Sequence, residues 1–206
     1  MSNIKYSLAS STWDERELAS IQRVIESGNY SMGNEVSKFE QEFAKFTGSK
    51  YCVMVNSGSS ANLIMTAALF YRKENKLQPG DEVIVPAVSW PTTFYPLAQY
   101  GLKLKFVDID KNTLNYDLNA LKAAVSDKTR LLMVVNLLGN PNDFAQINEI
   151  IANKKITLIE DNCESMGALF QERQAGTFGV MGSFSTFFSA RMANMEGGMV
   201  VTDVEA

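Results

Sequence analysis

The chain has 206 residues, 46% of them hydrophobic and 20% charged, with a formal net charge of -4 and no histidine. That length buries a sizeable core in one domain or a little more, and the mild acidity argues against nucleic acid or an anionic membrane as the main partner. The absence of histidine excludes Ser-His-Asp triads, Cys-His dyads and His-ligated zinc, and two cysteines alone, Cys52 and Cys163, exclude a Cys-rich metal centre or a disulfide framework, so no metal is expected.

The segment Met1 to Ser11 is polar and lacks the apolar centre of a signal peptide, and no stretch reaches the ~18 apolar residues that span a bilayer. Two thiols beside apolar stretches fit a reducing compartment, so the expectation is a cytoplasmic protein. A first helix over Asp14–Ser27 follows Ser11 and Thr12 as capping residues and ends at Gly28. Helical spacing recurs over Glu35–Phe46, Ser60–Lys73, Pro91–Gln99, Leu118–Val125 and Phe144–Asn153. Between these lie strand candidates at Tyr51–Val55, Glu82–Pro86, Leu104–Asp108, Arg130–Val135, Ile156–Ile159, Ser183–Phe187 and Gly198–Thr202. Runs such as Val83-Ile84-Val85 and Leu131 to Val135 are continuously apolar, which suits strands covered on both faces. The alternation predicts an α/β fold with a mostly parallel seven-stranded sheet flanked by helices. Residues 1–30 read as an N-terminal arm and helix, and 31–206 as the main domain. The chain stops four residues after a strand, which reads as a domain cut short.

In open α/β sheets, ligands sit beyond the carboxyl ends of the strands. After the first strand comes Asn56-Ser57-Gly58-Ser59-Ser60-Ala61-Asn62, which opens into a helix. Small residues with free N–H groups at a helix start make either a phosphate site or simply a capped helix. The loop has neither the Gly-Lys-Ser/Thr of a Walker motif nor a GxGxxG pattern. Trp90 follows the second strand, where it either covers a planar ligand or packs. Glu160-Asp161-Asn162-Cys163-Glu164-Ser165 follows the fifth, and Asp161 and Glu164 face either a ligand or solvent. A phosphate loop, a flat aromatic and a carboxylate at equivalent strand ends match pyridoxal phosphate: its phosphate, its planar ring, and a ring nitrogen kept protonated by an acid.

Taken in order, these motifs resemble the large domain of the fold-type I, PLP-dependent sugar aminotransferases. The resemblance runs from Gly33 and Phe39-Glu40 through Asn56 to Asn62, Pro79-Gly80-Asp81 to Pro86, and Phe106-Val107-Asp108-Ile109-Asp110. It ends with Glu160 to Ala168 and Glu196-Gly197-Gly198-Met199. Asn136-Leu137-Leu138-Gly139-Asn140-Pro141 and Asp161 to Ser165 are most similar to the branch of 3-dehydratases that act on a GDP-linked 4-keto-6-deoxy sugar. That branch makes the 3,6-dideoxy sugar with non-covalent pyridoxal or pyridoxamine phosphate, and glutamate is the amino donor. The resemblance implies a PLP-binding large domain over 31–206 without the family's small C-terminal domain. It also implies a homodimer when the full family length is present. Gly58, Ser59 and Ser185 match the phosphate binders, Trp90 the ring-stacking aromatic, Asp161 the partner of the pyridine nitrogen, and Glu164 a further cofactor-site residue.

The position six residues before Glu196 carries lysine in the aminotransferases, bonded to the cofactor, and histidine in the 3-dehydratases, as the base. In this chain it is Ala190, followed by Arg191. A methyl group neither bonds the cofactor nor moves a proton, and arginine stays protonated at neutral pH. The expectation is a cofactor pocket of the 3-dehydratase type with impaired catalysis. The alternatives are a non-catalytic homologue that binds a nucleotide sugar or pairs with an active partner and, behind it, a sugar aminotransferase.

Overall fold

The computed structural model describes residues 12–187, 192 and 195–205. Helix α1 (Glu15–Ser27) is capped by Asp14 and not by Thr12, and Ser11 lies outside the described residues. The Asp14 carboxylate accepts from the Arg16 N–H at 2.8 Å, and Glu17 reaches back to the Asp14 N–H at 2.8 Å, which closes a capping box. Gly28 ends the helix in the left-handed conformation at φ 66°, where a Cβ is disfavoured. None of the side chains of α1 is buried, so the core starts with α2 (Asn34–Thr47).

A seven-stranded sheet then forms from β1 (Tyr51–Val55), β2 (Glu82–Pro86), β3 (Lys103–Val107), β4 (Thr129–Val135), β5 (Thr157–Asp161), β8 (Met181–Ser185) and β9 (Gly198–Thr202). Its order is β1-β9-β8-β5-β4-β2-β3. All neighbouring pairs are parallel except the two made by β9, which runs against both β1 and β8. The remaining helices are α3 (Gly58–Leu69), α4 (Pro91–Gln99), α5 (Leu118–Ala124) and α6 (Phe144–Ile151). Among the described residues, no helix is long and apolar enough to cross a membrane.

The continuously apolar runs lie at the centre, as two-sided burial requires. In β4, Leu131 and Met133 enter one core with Met65, Leu69 and Leu97, while Leu132 and Val134 enter the other with Phe144 and Ile147. Each such side chain contributes about 1.5–3 kcal/mol of burial. The expected sheet is therefore present, with shifts at the ends of elements. The fifth strand runs on through Asp161, β8 starts two residues early and stops at Ser185, and α3 starts at Gly58 and ends at Leu69. A short hairpin, β6 (Leu169–Phe170) with β7 (Arg173–Gln174), was not expected from the sequence.

Because β9 is reversed, it starts where β1 and β8 end: Gly198 pairs with both Val55 and Ser185. Gly198 also abuts the Ser57 and Gly58 backbone so closely that a Cβ there would overlap main-chain atoms. The Glu196-Gly197-Gly198 motif is thus brought to the start of α3.

Candidate cofactor site

Helix α3 begins at the carboxyl end of β1. Ser57 is its N-cap, and its Oγ accepts from the Ser60 N–H at 3.1 Å. Gly58 is buried against the ends of two other strands: a Cβ there would come within 2.7 Å of Cys163 Sγ and 2.8 Å of Ser185 Cβ. Only glycine allows this approach, which gathers the start of α3, the end of β8 and the turn after β5 at one point. Ser185 Oγ accepts from the Phe187 N–H at 3.2 Å, and Thr186 donates its N–H to the Gly197 carbonyl at 2.9 Å.

The first turn of α4 closes the site from the other side. Its N-cap is Trp90, 67% exposed, with Pro91 at the first helical position. Ser59 Oγ donates to Thr92 Oγ1 at 2.9 Å, so the phosphate-loop candidate and the Trp90 turn are directly tied.

Asp161 is 4% exposed and lies at the centre of this arrangement. Its Oδ2 accepts from Asn62 Nδ2 at 2.8 Å and from Thr93 Oγ1 at 2.7 Å, and its Oδ1 accepts from the Cys163 N–H at 3.1 Å. Among the described residues the only ion pair is Arg16–Asp14, so no side-chain cation meets this buried carboxylate. Burial and the Asp161 charge push the Cys163 thiol well above its ordinary value. Burial pushes the Cys52 thiol up to about 12. Neither cysteine is disposed to act as a nucleophile.

Glu164 is further out and half-buried, with its Oε2 accepting from the Leu138 N–H at 3.0 Å. It holds the turn after β4, in which Leu138 has φ 52°. The structure brings Gly58, Ser59, Asp161 and Ser185 to one end of the sheet and sets Trp90 at its rim. Ala190 lies outside the described residues.

Sequence reasoning passed over three residues that build this end. Asn62 is 2% exposed and Thr93 1%, and both serve Asp161. A buried amide inside the apolar stretch Ala61 to Met65 was a legible signal for Asn62, whereas nothing marks Thr93. The third is Glu160, fully buried on the opposite face of β5, whose carboxylate accepts from the Gly176 N–H at 2.6 Å, the Gly179 N–H at 2.7 Å and Asn136 Nδ2 at 3.1 Å. Burial raises its carboxyl above the ordinary value in spite of these donors. Among the described residues, no group of three or more His, Cys, Asp or Glu side chains is placed to hold a metal ion.

Comparison with known proteins gives this constellation its context. GDP-4-keto-6-deoxy-D-mannose 3-dehydratase of Yersinia pseudotuberculosis is 60% identical over 202 residues, which is 98% of this chain and 51% of that protein. A crystal structure of GDP-4-keto-6-deoxymannose 3-dehydratase, a histidine-to-asparagine variant with bound GDP-perosamine, superposes with a TM-score of 0.95 at 60% identity, covering 97% of this chain and 52% of that one. A second structure of that enzyme, with a trapped PLP–glutamate geminal diamine, has the same TM-score of 0.95 and the same 60% identity and coverage, 97% and 52%. The chain spans about half the length of these relatives. The profile of the DegT/DnrJ/EryC1/StrS aminotransferases matches residues 11–206, from ahead of α1 through β9. With the family match over nearly the whole chain and relatives at 60% identity, this chain belongs to the DegT/DnrJ/EryC1/StrS aminotransferase family.

Proposed function

We propose that this chain holds pyridoxal or pyridoxamine phosphate non-covalently, in a site of the sugar-nucleotide 3-dehydratase type whose base position is vacated at Ala190. The observation that carries the reading is Asp161, a buried carboxylate with neutral donors and, among the described residues, no side-chain cation. A charge so placed is costly unless a cation arrives to meet it, and a protonated pyridine nitrogen is such a cation. The residues fit the group. Gly58 lets the start of α3 pack against Ser185 and Cys163, and Gly58, Ser59 and Ser185, gathered there, would take the phosphate. Trp90 would cover the ring and Glu164 would border it. When bound, the cofactor supplies an electron sink that makes loss of the C3 hydroxyl of a keto sugar accessible.

The substrate class is a GDP-linked 4-keto-6-deoxy sugar, with glutamate as amino donor, supported by 60% identity to a GDP-4-keto-6-deoxy-D-mannose 3-dehydratase and by the PLP–glutamate adduct held by a solved relative. Residues 31–206 are the cofactor-binding domain in this reading. The chain's own residues bind and orient; what they lack is a group at position 190 able to move a proton. The binding-only reading rests on that same residue, together with the absence of any histidine in the chain. It predicts cofactor and nucleotide-sugar binding without turnover.

The test is a PLP titration followed by absorbance. Wild-type protein should bind about one PLP per chain, and Asp161→Asn should weaken binding by at least about tenfold, the loss expected for a charge-assisted hydrogen bond of about 1.5–3 kcal/mol. Equal affinity in the two proteins would remove Asp161 from the cofactor site.

A further inference from the structure

Asp161 is not merely buried; it is aimed. Asn62 and Thr93 both donate to the same oxygen, Oδ2, from two different helices. The orientation of the Asn62 amide is itself fixed, because Ser183 Oγ on β8 donates to Asn62 Oδ1 at 2.7 Å, which leaves Nδ2 to face Asp161. Ser183 is fully buried and also lies 3.8 Å from Cys163 Sγ. Oδ1 accepts from the Cys163 N–H and, with two lone pairs, retains acceptor capacity for an incoming N–H.

We infer that Asn62 and Thr93, with Ser183 behind Asn62, form a positioning device that decides where the proton lies between Asp161 and the ring nitrogen of the bound cofactor. This rests on the cofactor reading above. Two donors on Oδ2 stabilise negative charge there, which favours the ionic form of the pair, with the shared proton on the ring nitrogen. Without them the ionic form loses that support, and the pair drifts towards neutral acid and neutral pyridine. A protonated ring is the stronger electron sink, so the device acts on reactivity without touching substrate. Its placement has a second consequence. Asn62 is one helical turn beyond Gly58 on α3, and Thr93 adjoins the Thr92 that bonds Ser59. The helix that presents N–H groups to a phosphate therefore also sets the charge partner of the ring.

The experiment uses PLP labelled with nitrogen-15 in the ring, bound to the whole chain, with the nitrogen chemical shift as readout at fixed neutral pH. Wild type should give the shift of a protonated pyridine. Thr93→Val, which keeps shape and loses the hydroxyl, should move the signal towards the unprotonated position and weaken PLP binding about tenfold. Thr93→Ser should restore both, and Ser183→Ala should move the signal by a smaller amount in the same direction. A structural role alone would lower affinity or thermal stability and leave the nitrogen shift unchanged. Wild type that binds PLP with an unprotonated nitrogen overturns the inference, as does a Thr93→Val protein with the wild-type shift. If the variants do not fold, the wild-type shift alone decides. Failure of wild type to bind PLP at all refutes instead the cofactor reading on which the inference rests.

Discussion

Replacing Ala190 with histidine, in a chain of the relatives' full length, should raise 3-deoxygenation of a GDP-linked 4-keto-6-deoxy sugar by roughly 10²–10⁴-fold, the usual contribution of a positioned acid–base group. No other residue of this segment is suited to the task. Arg191 holds its proton at neutral pH, the last lysine in the chain is Lys155, and histidine is absent throughout. The fold and the proposed pocket do not depend on residue 190, so cofactor affinity should change little while the rate rises. The discriminating measurement is single-turnover product formation by Ala190 and Ala190→His proteins, both loaded with pyridoxamine phosphate. A variant that binds cofactor and sugar yet remains as slow as its parent would favour the binding-only reading.

The largest expected effect on stability comes from a residue away from the proposed pocket. Glu160→Ala strips the acceptor from the Gly176 and Gly179 N–H groups and from the Asn136 amide, all packed behind β5. An unsatisfied buried donor costs about 1–3 kcal/mol, and relief of the buried carboxylate offsets part of the sum, so a net loss of about 3 kcal/mol is expected. For a domain of this size that corresponds to a Tm lower by roughly 6–12 °C. Glu160→Gln should not rescue it fully, because both carboxylate oxygens accept and an amide has one oxygen. The pH dependence follows from the raised carboxyl. The folded chain keeps a proton on Glu160 at pH values where the unfolded chain, near 4.5, has lost it. The contribution of this group to stability is therefore full below about 4.5 and falls as pH rises through the folded value. Glu160→Gln should remove that slope. Urea unfolding of wild type and both variants at several pH values checks sign and size together, and a wild-type-like midpoint for Glu160→Ala would contradict this role.

Much of the fold was legible because the central strands announce themselves. The bounds of β1, β2 and β9 are those read from their apolar runs, with Asn56, Pro86 and Asp203 marking the ends. The end of β5 was misread for a physical reason: Glu160 and Asp161 look like loop residues by polarity, yet tertiary partners on both faces allow them to finish a buried strand. The hairpin β6–β7 has two residues per strand and so carries no period to read. Gly58 and Asp161 could be picked out by their place after strands. The partners of Asp161 could not, since Asn62 and Thr93 lie 99 and 68 residues away and meet it only once the sheet is assembled. The capping difference at α1 is local: Thr12 also has a glutamate three residues on, but the helix starts at Glu15, so Asp14 stands at the cap position and Glu17 closes the box.

The central claim, a cofactor site that holds its ligand without a covalent anchor, is tested most directly by loading the protein with PLP, desalting, and treating one half with borohydride before peptide mapping. About one PLP per chain should survive desalting, and no peptide, least of all one spanning residue 190, should carry a reduced label. Loss of all PLP on desalting, or a borohydride-fixed lysine peptide at stoichiometric yield, would contradict it.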